Sequence, residues 1–531
     1  MTGNTQAERE LLTTAQANGL GATVGAFLKL SGPGWLQGAI TLGGGSLASS
    51  LYLGVLAGYS LMWLQPLAMI LGIIMLSAIA YVTLSTGERP FQAIRDHVNP
   101  VLAWGWALAV AAANIVWCLP QFSLANGVLS QNLLPGILGA DGILTAAGGA
   151  NASRGVVSLS LLVVATIITW SYDRGGWGLR LYETMLKCMV AFIVICFLGV
   201  VVTLSRSAEG LEWSAIFAGL VPDFGQFFVP AATFSPMLDA IGPLGDQARQ
   251  FWSDRIVSKQ QDVIISAAAT AVGINMTFLF PYSLLRKGWG KEFRGLAIFD
   301  LATGMLIPFV LATGCVVIAS AAQFHTRVTD DFVVEGDSVI PSAEYQQPYE
   351  SLLAIRNENV DSEIGLAERL IAAALVDRKA KHLSGALVPL TGAFVADIIF
   401  GFGVLAMALS TISLLMLISG FVFCEIFGVK PEGWLFRMAT LPAGIAGFFG
   451  PFLWGKASFY LAVPTSVFGF VLLPFAYITF VFLMNQRSLL GENLPTGGKR
   501  LLWMLKIYFA VSVIFLASKS LDISAKSSVL A

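Results

Sequence analysis

Long apolar runs, separated by short polar stretches, recur along almost the whole chain. A helix needs about 20 mostly apolar residues to cross a bilayer, and eleven runs meet that need. Numbered as spans 1 to 11, they lie near 33–58, 61–84, 101–124, 155–172, 180–204, 263–285, 297–323, 388–422, 438–455, 459–484 and 501–517. The pattern predicts an all-α membrane protein with about eleven transmembrane helices.

Basic residues distinguish the two sides of this predicted bundle. The loops after spans 2, 4, 6, 8 and 10 carry Lys or Arg, whereas short loops on the other side have almost none. Since basic short loops stay in the cytoplasm, we expect a multi-pass cell-membrane protein with its N-terminus inside and its C-terminus outside. The polar segments 205–262 and 324–387 are then extracellular. Leu and Ala spacing over 361–382 predicts a surface helix.

Composition excludes several classes of protein. The 531 residues are 56% hydrophobic and only 12% charged, about half the roughly 25% charge of soluble proteins. The net charge of −1 gives no basic excess for nucleic acid. Five cysteines lie in apolar runs without a C-x-x-C pair, so we expect neither disulfides nor a zinc site. Nucleotide-binding and metalloprotease motifs are missing, and we expect no enzyme and no cofactor.

Two spans contain residues that interrupt a helix. Span 1 carries Gly43-Gly44-Gly45-Ser46 at mid-depth, and each glycine costs about 1 kcal/mol in a helix. Span 6 carries Pro281, which removes a helical hydrogen bond. Non-helical backbone at membrane depth persists only when buried in protein or facing a watery cavity. Breaks five spans apart predict an inverted repeat, in which spans 1–5 and 6–10 surround one transport site; two kinked helices that serve packing alone are the alternative.

The predicted repeat divides the chain into five parts. They are a cytoplasmic segment 1–30, a first five-helix repeat 31–204, an extracellular insertion 205–262, a second repeat 263–484 that includes the loop 324–387, and an eleventh helix with its tail at 485–531.

Residues around the two breaks are the candidates for a substrate site, because unwound backbone offers free carbonyl groups. A polar pair in span 10 is expected to face the same point. The candidates are Thr41, Gly43, Gly44, Gly45, Ser46, Asn275, Met276, Thr277, Phe280, Pro281, Tyr282, Ser283, Thr465 and Ser466.

The order and spacing of these features resemble the Nramp family of divalent-metal transporters, which has the LeuT-type fold. Gly32-Pro33 and Gly58-Tyr59 flank span 1 at the family's distances, and Phe324-His325 fits the end of span 7. The resemblance covers roughly 30–517. It implies a LeuT-type 5+5 inverted repeat with broken helices 1 and 6, and transport of a divalent cation by alternating access.

The chain departs from the family at its metal site. The family has Asp-Pro-Gly-Asn where Gly43-Gly44-Gly45-Ser46 stands, and Met-Pro-His where Phe280-Pro281-Tyr282 stands. Carboxylates balance the charge of a dehydrated cation, and thioethers favour transition metals. We therefore expect a more hydrated cation such as magnesium or manganese, with Ser46 and Met276 as weak candidate ligands.

Span 3 departs from the family as well. It carries Asn114, Gln121 and Asn126 but no carboxylate, and proton coupling needs titratable groups in the pathway. We therefore expect no proton coupling by the family's route. Two other functions stay open: transport of a monovalent ion or small organic solute, for which the aromatic rings of span 6 offer stacking surfaces, and a non-transporting sensor or scaffold. The expected partners are the lipid bilayer and a small ion or solute; the sequence leaves the oligomeric state open.

Overall fold

Helices make up nearly all of the described chain. The computed structural model describes residues 3–172, 176–207, 210–242, 246–325, 332–343, 345–376, 394–453, 462–500 and 502–507. In chain order the α-helices are α1 Gly3–Ala17, α2 Leu20–Leu30, α3 Pro33–Thr41, α4 Gly44–Ala57, α5 Leu64–Thr86, α6 Pro90–His97, α7 Pro100–Val128, α8 Pro135–Leu138, α9 Ile143–Ser171, α10 Gly176–Ser205, α11 Trp213–Ala218, α12 Ser235–Asp239, α13 Asp246–Ala271, α14 Met276–Arg286, α15 Arg294–Leu301, α16 Ile307–Phe324, α17 Gln346–Asn359, α18 Leu366–Leu375, α19 Phe400–Ile426, α20 Gly433–Ala439, α21 Leu441–Phe448, α22 Gly450–Leu453, α23 Ala462–Asn485 and α24 Arg487–Leu490.

Single turns of other helix types complete the secondary structure. The 3₁₀ turns are Phe224–Phe227, Ala232–Phe234, Lys291–Phe293 and Gly491–Asn493, and the π-helical turns are Leu129–Leu133, Ala302–Leu306 and Phe394–Ile399. The strands β1 Phe332–Glu335 and β2 Ser338–Pro341 form one antiparallel hairpin, with Phe332 opposite Pro341.

The described chain contains seven helices long and apolar enough to cross a membrane, and the bent pair α3–α4 adds an eighth unit. These eight units coincide with expected spans 1 to 8 and confirm a multi-pass, all-α membrane protein. Span 6 begins at Asp246, not near 263, so part of the expected 205–262 insertion is helix. Gln260 ties this extension to the preceding segment, because its side-chain oxygen accepts from the Ala231 N–H at 2.8 Å and its nitrogen donates to the Val229 carbonyl at 3.1 Å. Hydropathy does not reveal such contacts.

The last three expected spans compare less simply with the structure. Span 9, expected near 438–455, is divided among the short helices α20, α21 and α22. Span 10 corresponds to α23, whose described apolar part is Leu472–Asn485. Span 11 at 501–517 lies mostly outside the described residues.

Segment 332–376 holds a buried ion pair that sequence did not indicate. Arg356 donates to Glu368 at 2.6 and 2.7 Å, and Trp252 of α13 donates to the same carboxylate at 2.8 Å. The expected surface helix at 361–382 is α18, which buries Ile371 through Leu375. The β1–β2 hairpin, α17 and α18 therefore form one folded unit, which Trp252 joins to α13.

Close packing holds α3 in place. A Cβ on Gly34 would lie 2.2 Å from the Asp300 carbonyl oxygen, and one on Gly38 would lie 2.1 Å from the Gly304 carbonyl oxygen. Only glycine allows so close an approach between α3 and the α15–α16 junction. The Asp300 carboxylate accepts from the Gly34 N–H at 2.7 Å and the Gly32 N–H at 3.1 Å, which satisfies the first amides of α3.

Candidate substrate site

The expected break in span 1 is confirmed at Leu42–Gly43. Helices α3 and α4 meet there at 53°, and the Gly44 N–H donates to Gln121 of α7 at 2.8 Å. The Leu42 carbonyl accepts no backbone hydrogen bond within the described chain. A Cβ on Gly43 would lie 2.5 Å from the Thr411 hydroxyl oxygen. Glycine therefore serves two purposes here: it ends α3 and admits α19 to the break.

The break in span 6 lies at Val272–Asn275, between α13 and α14. We expected it at Pro281, but Pro281 stands inside the continuous helix α14. Gly273 marks the break instead, because a Cβ there would lie 2.3 Å from the Trp117 ring. Asn275 is the residue immediately before α14, without a side-chain capping hydrogen bond, and asparagine and glycine both disfavour a continuous helix. The pair Gly273 and Asn275 was the signal in the sequence.

A small cavity of about 50 Å³ lies between the two breaks. Several expected candidates line it: Thr41, Gly43, Gly45, Ser46, Asn275 and Met276. Sequence reasoning did not assign the other lining residues to the site, among them Trp117, Gln121, Thr270 and Thr411. Trp117 and Gln121 are four residues apart on α7, and polar side chains at helical spacing in apolar spans are the signal that would have found Gln121.

The remaining candidates lie elsewhere. Gly44 does not line the cavity, and its backbone N–H donates to the Gln121 side chain. Thr277 lies at the break and is bonded on both sides. Its hydroxyl accepts from Trp106 at 2.9 Å and donates to the Ile274 carbonyl at 2.5 Å.

Four candidates on α14 do not line the cavity: Phe280, Pro281, Tyr282 and Ser283. Tyr282 stacks between Phe278 and Phe421, with ring centroids at 5.2 and 5.4 Å, and Ser283 donates to the Leu279 carbonyl at 2.7 Å. All four candidates lie within α14, because the break comes before that helix begins. The side chains of Thr465 and Ser466 on α23 fall outside the described residues.

The cavity is rich in neutral oxygen groups. Ser46 bonds the Gly43 amide at 3.1 Å and the Gly43 carbonyl at 2.8 Å. Asn275 is 1% exposed, and neither polar atom of its side chain has a hydrogen-bond partner among the described residues; the same holds for the Thr411 hydroxyl. Leaving a buried polar group unpaired costs about 1–3 kcal/mol, so a ligand or water that pairs with these groups would remove that cost.

Acidic and histidine side chains are missing from the cavity wall within the described chain. Across those same residues no cluster of three or more His, Cys, Asp or Glu could hold a metal ion. A cation in this cavity would therefore meet carbonyl, carboxamide and hydroxyl oxygens and the Met276 sulfur. Such neutral donors suit an ion that keeps part of its water shell.

A bent helix pair and a second interrupted helix that border one cavity inside an all-α membrane bundle are typical of a multi-pass membrane transporter. A sequence model of the family described as natural resistance-associated macrophage protein-like, or Nramp, matches residues 34–339 and 367–519. These ranges cover most of the chain, and the chain belongs to the Nramp family. A comparison with curated proteins gave no significant match.

Solved structures share the fold. A mutant of the Eremococcus coleocola manganese transporter aligns with a TM-score of 0.60 at 15% identity, covering 93% of this chain and 86% of that one. The same transporter in complex with an aromatic bis-isothiourea compound gives a TM-score of 0.59 at 14% identity, covering 95% of this chain and 92% of that one. At such low identity the likeness shows the fold alone.

Replacing Gly273 by alanine is expected to destabilise the protein and to impair the site. The new Cβ would overlap the Trp117 ring, and overpacking of this kind costs about 1–3 kcal/mol. Thermal unfolding of the purified protein in detergent measures the loss. Gly127→Ala is the matched control, because nothing lies within 4 Å of a Cβ there. Equal melting temperatures for the two variants would contradict the close contact at the break.

Proposed function

We propose that this protein carries a divalent metal cation across the cell membrane by alternating access, and that the cation keeps part of its water shell. Family membership supports a divalent cation, and the fold is that of the Eremococcus coleocola manganese transporter. The neutral cavity is the observation that carries the hydrated form. At roughly 10–15 Å³ per water-sized particle, a cavity of about 50 Å³ holds the cation with a few waters.

Magnesium and manganese are the proposed substrates. Mg²⁺ dehydrates reluctantly and usually keeps several waters, which suits a wall of carboxamide and hydroxyl oxygens. Met276 lines the cavity, and its sulfur adds a soft donor that favours Mn²⁺ over Ca²⁺.

The proposed transport is uncoupled from protons. A proton relay needs titratable groups along the path, and the polar α7 side chains Asn114 and Gln121 are carboxamides, which do not titrate. The short basic loops support a cytoplasmic N-terminus and an outside C-terminus. In this orientation segment 332–376 lies outside the cell.

An organic substrate is less well supported. The aromatic rings that offered a stacking surface are used in packing: Phe278 stacks on Trp106 at 4.2 Å and on Tyr282 at 5.2 Å. The cavity is also far below the 300 Å³ or more that ligand pockets for drug-sized molecules usually have.

Uptake into proteoliposomes of the purified full chain tests the function. We expect Mg²⁺ or Mn²⁺ to enter down its own gradient, at a rate that an imposed pH gradient leaves unchanged and without movement of protons. Empty liposomes and liposomes with Gly273→Ala protein are the controls. Proton movement that accompanies the cation would overturn the uncoupled mechanism, and the lack of any cation flux would overturn the proposed function.

A further inference from the structure

Three buried carboxamides stand out within the described chain. Gln37 and Asn114 are fully buried and Asn275 is 1% exposed. Neither the oxygen nor the nitrogen of any of the three has a hydrogen-bond partner among the described residues. Buried amides are almost always paired, so three unpaired ones in one membrane bundle require an explanation. Asn275 belongs to the cavity wall, whereas the other two do not.

Gln37 lies one turn from the cavity on α3. At 3.6 residues per turn, it projects between Ile40 and Thr41, which both line the cavity. It therefore continues the cavity-facing side of α3 toward the N-terminus of that helix, away from α4.

Asn114 continues the cavity-facing side of α7 in the same direction. Trp117, one turn later, covers Gly273 of the second break. Trp106, two turns earlier, donates to Thr277 at 2.9 Å. Along α7, Asn114 lies between these two contacts and two turns before Gln121 on the same face, and Gln121 lines the cavity.

We propose that Gln37, Asn114 and Asn275 form an inner station for the transported cation, next to the cavity on the side of α3 and α14. This inference rests on the proposed function and extends it along the route. Carboxamide oxygens are ligands for hard cations and replace their waters one at a time. Because the station carries no charge, it holds the cation weakly enough to release it when alternating access opens the site to the other side of the membrane.

The station precedes an aromatic barrier. Beyond Asn275, α14 continues with Phe278 and Tyr282, and Tyr282 stacks on Phe421 of α19. These stacked rings separate the station from the ion pair between Arg89 and Glu425 at the end of α19. A cation that leaves the cavity along α14 therefore contacts the three carboxamides before it reaches the stacked rings.

Thiol labelling tests whether the station belongs to a water-filled route. Cys188 is exposed and is first removed as Cys188→Ser, while Cys118 is buried against Gly447 and serves as an internal control on α7. In this background Asn114→Cys and Gln37→Cys are treated with a cationic methanethiosulfonate reagent, and modification is followed by peptide mass spectrometry. We expect both new cysteines to react at least about tenfold faster than Cys118, because alternating access exposes the route to water in one state of the cycle and reactivity follows access. Rates equal to that of Cys118 for both would overturn the inner station.

Flux measurements separate this proposal from the proposed function. Asn114→Leu is expected to lower Mn²⁺ uptake by about tenfold or more while the calorimetric affinity for Mn²⁺ changes less than about twofold, since the cavity itself stays intact. Asn114→Gln, which keeps the carboxamide, should retain most of the flux. Full flux in the leucine variant would overturn the station. If the unaltered protein moves no cation, the proposed function fails, and the labelling rates alone decide whether the carboxamides line a hydrated route.

Discussion

Aspartate in place of Gly45 is expected to tighten Mn²⁺ binding by about tenfold to a hundredfold. Gly45 lines the cavity, so the new carboxylate would face a bound cation. The attraction between a carboxylate and a divalent ion amounts to several kcal/mol near 4 Å, and desolvation of the carboxylate offsets much of it. A net gain of about 1.4–3 kcal/mol corresponds to the expected change in affinity. Titration calorimetry on the purified protein in detergent measures it.

The Gly45→Asp variant is also expected to fold. Gly45 is the second residue of α4, and an acidic side chain in the first turn is stabilised by the helix dipole. Gly45→Asn is the matched control, because it has the same shape without the charge. An affinity gain in the aspartate variant alone would locate the cation beside the first break. Equal affinities for Gly45→Asp and Gly45→Asn would show that no cation binds near Gly45.

The sequence predicted the global plan because long-range packing hardly affects the signals involved. A run of apolar residues long enough to cross a bilayer forces a helix wherever it lies in the bundle. Three successive glycines weaken a helix in any surroundings, and the break at Leu42–Gly43 follows from them. Spans 1 to 8 and the first break could therefore be predicted from local pattern alone.

The second break could not be located in this way. Pro281 is a helix breaker by local rules, yet it stands inside α14, while the interruption occurs at Gly273, where the Trp117 ring approaches from another helix. A tertiary contact therefore sets the position of the second break. Because we expected the break at Pro281, we wrongly assigned four candidates, Phe280 to Ser283, to the cavity. The contributions of Gln121 and Thr411 depend in the same way on how α7 and α19 pack against the breaks.

Asp300→Ala is expected to destabilise the fold by about 3–5 kcal/mol, because it leaves buried donors and charge without a partner. The Asp300 carboxylate accepts from the Gly32 and Gly34 amides and from the Ser31 hydroxyl. Lys187 donates to the Ser31 carbonyl at 2.6 Å, so a positive charge lies close to this cap. The melting temperature of the purified protein and the yield of monodisperse protein report the loss.

Asp300→Asn separates the role of the hydrogen bonds from that of the charge. The asparagine oxygen can still accept from the two backbone amides, and the Ser31 hydroxyl can rotate to accept from its NH₂ group. If hydrogen bonds to α3 dominate, this variant loses only about 1–2 kcal/mol, close to the value of one charged hydrogen bond. If the carboxylate mainly neutralises Lys187, Asp300→Asn is destabilised as much as Asp300→Ala. Full stability in both variants would contradict any role for Asp300 as the anchor of α3. The anchor matters for transport because α3 carries Thr41 at one end and the Asp300 cap at the other, so a loosened cap displaces one wall of the cavity.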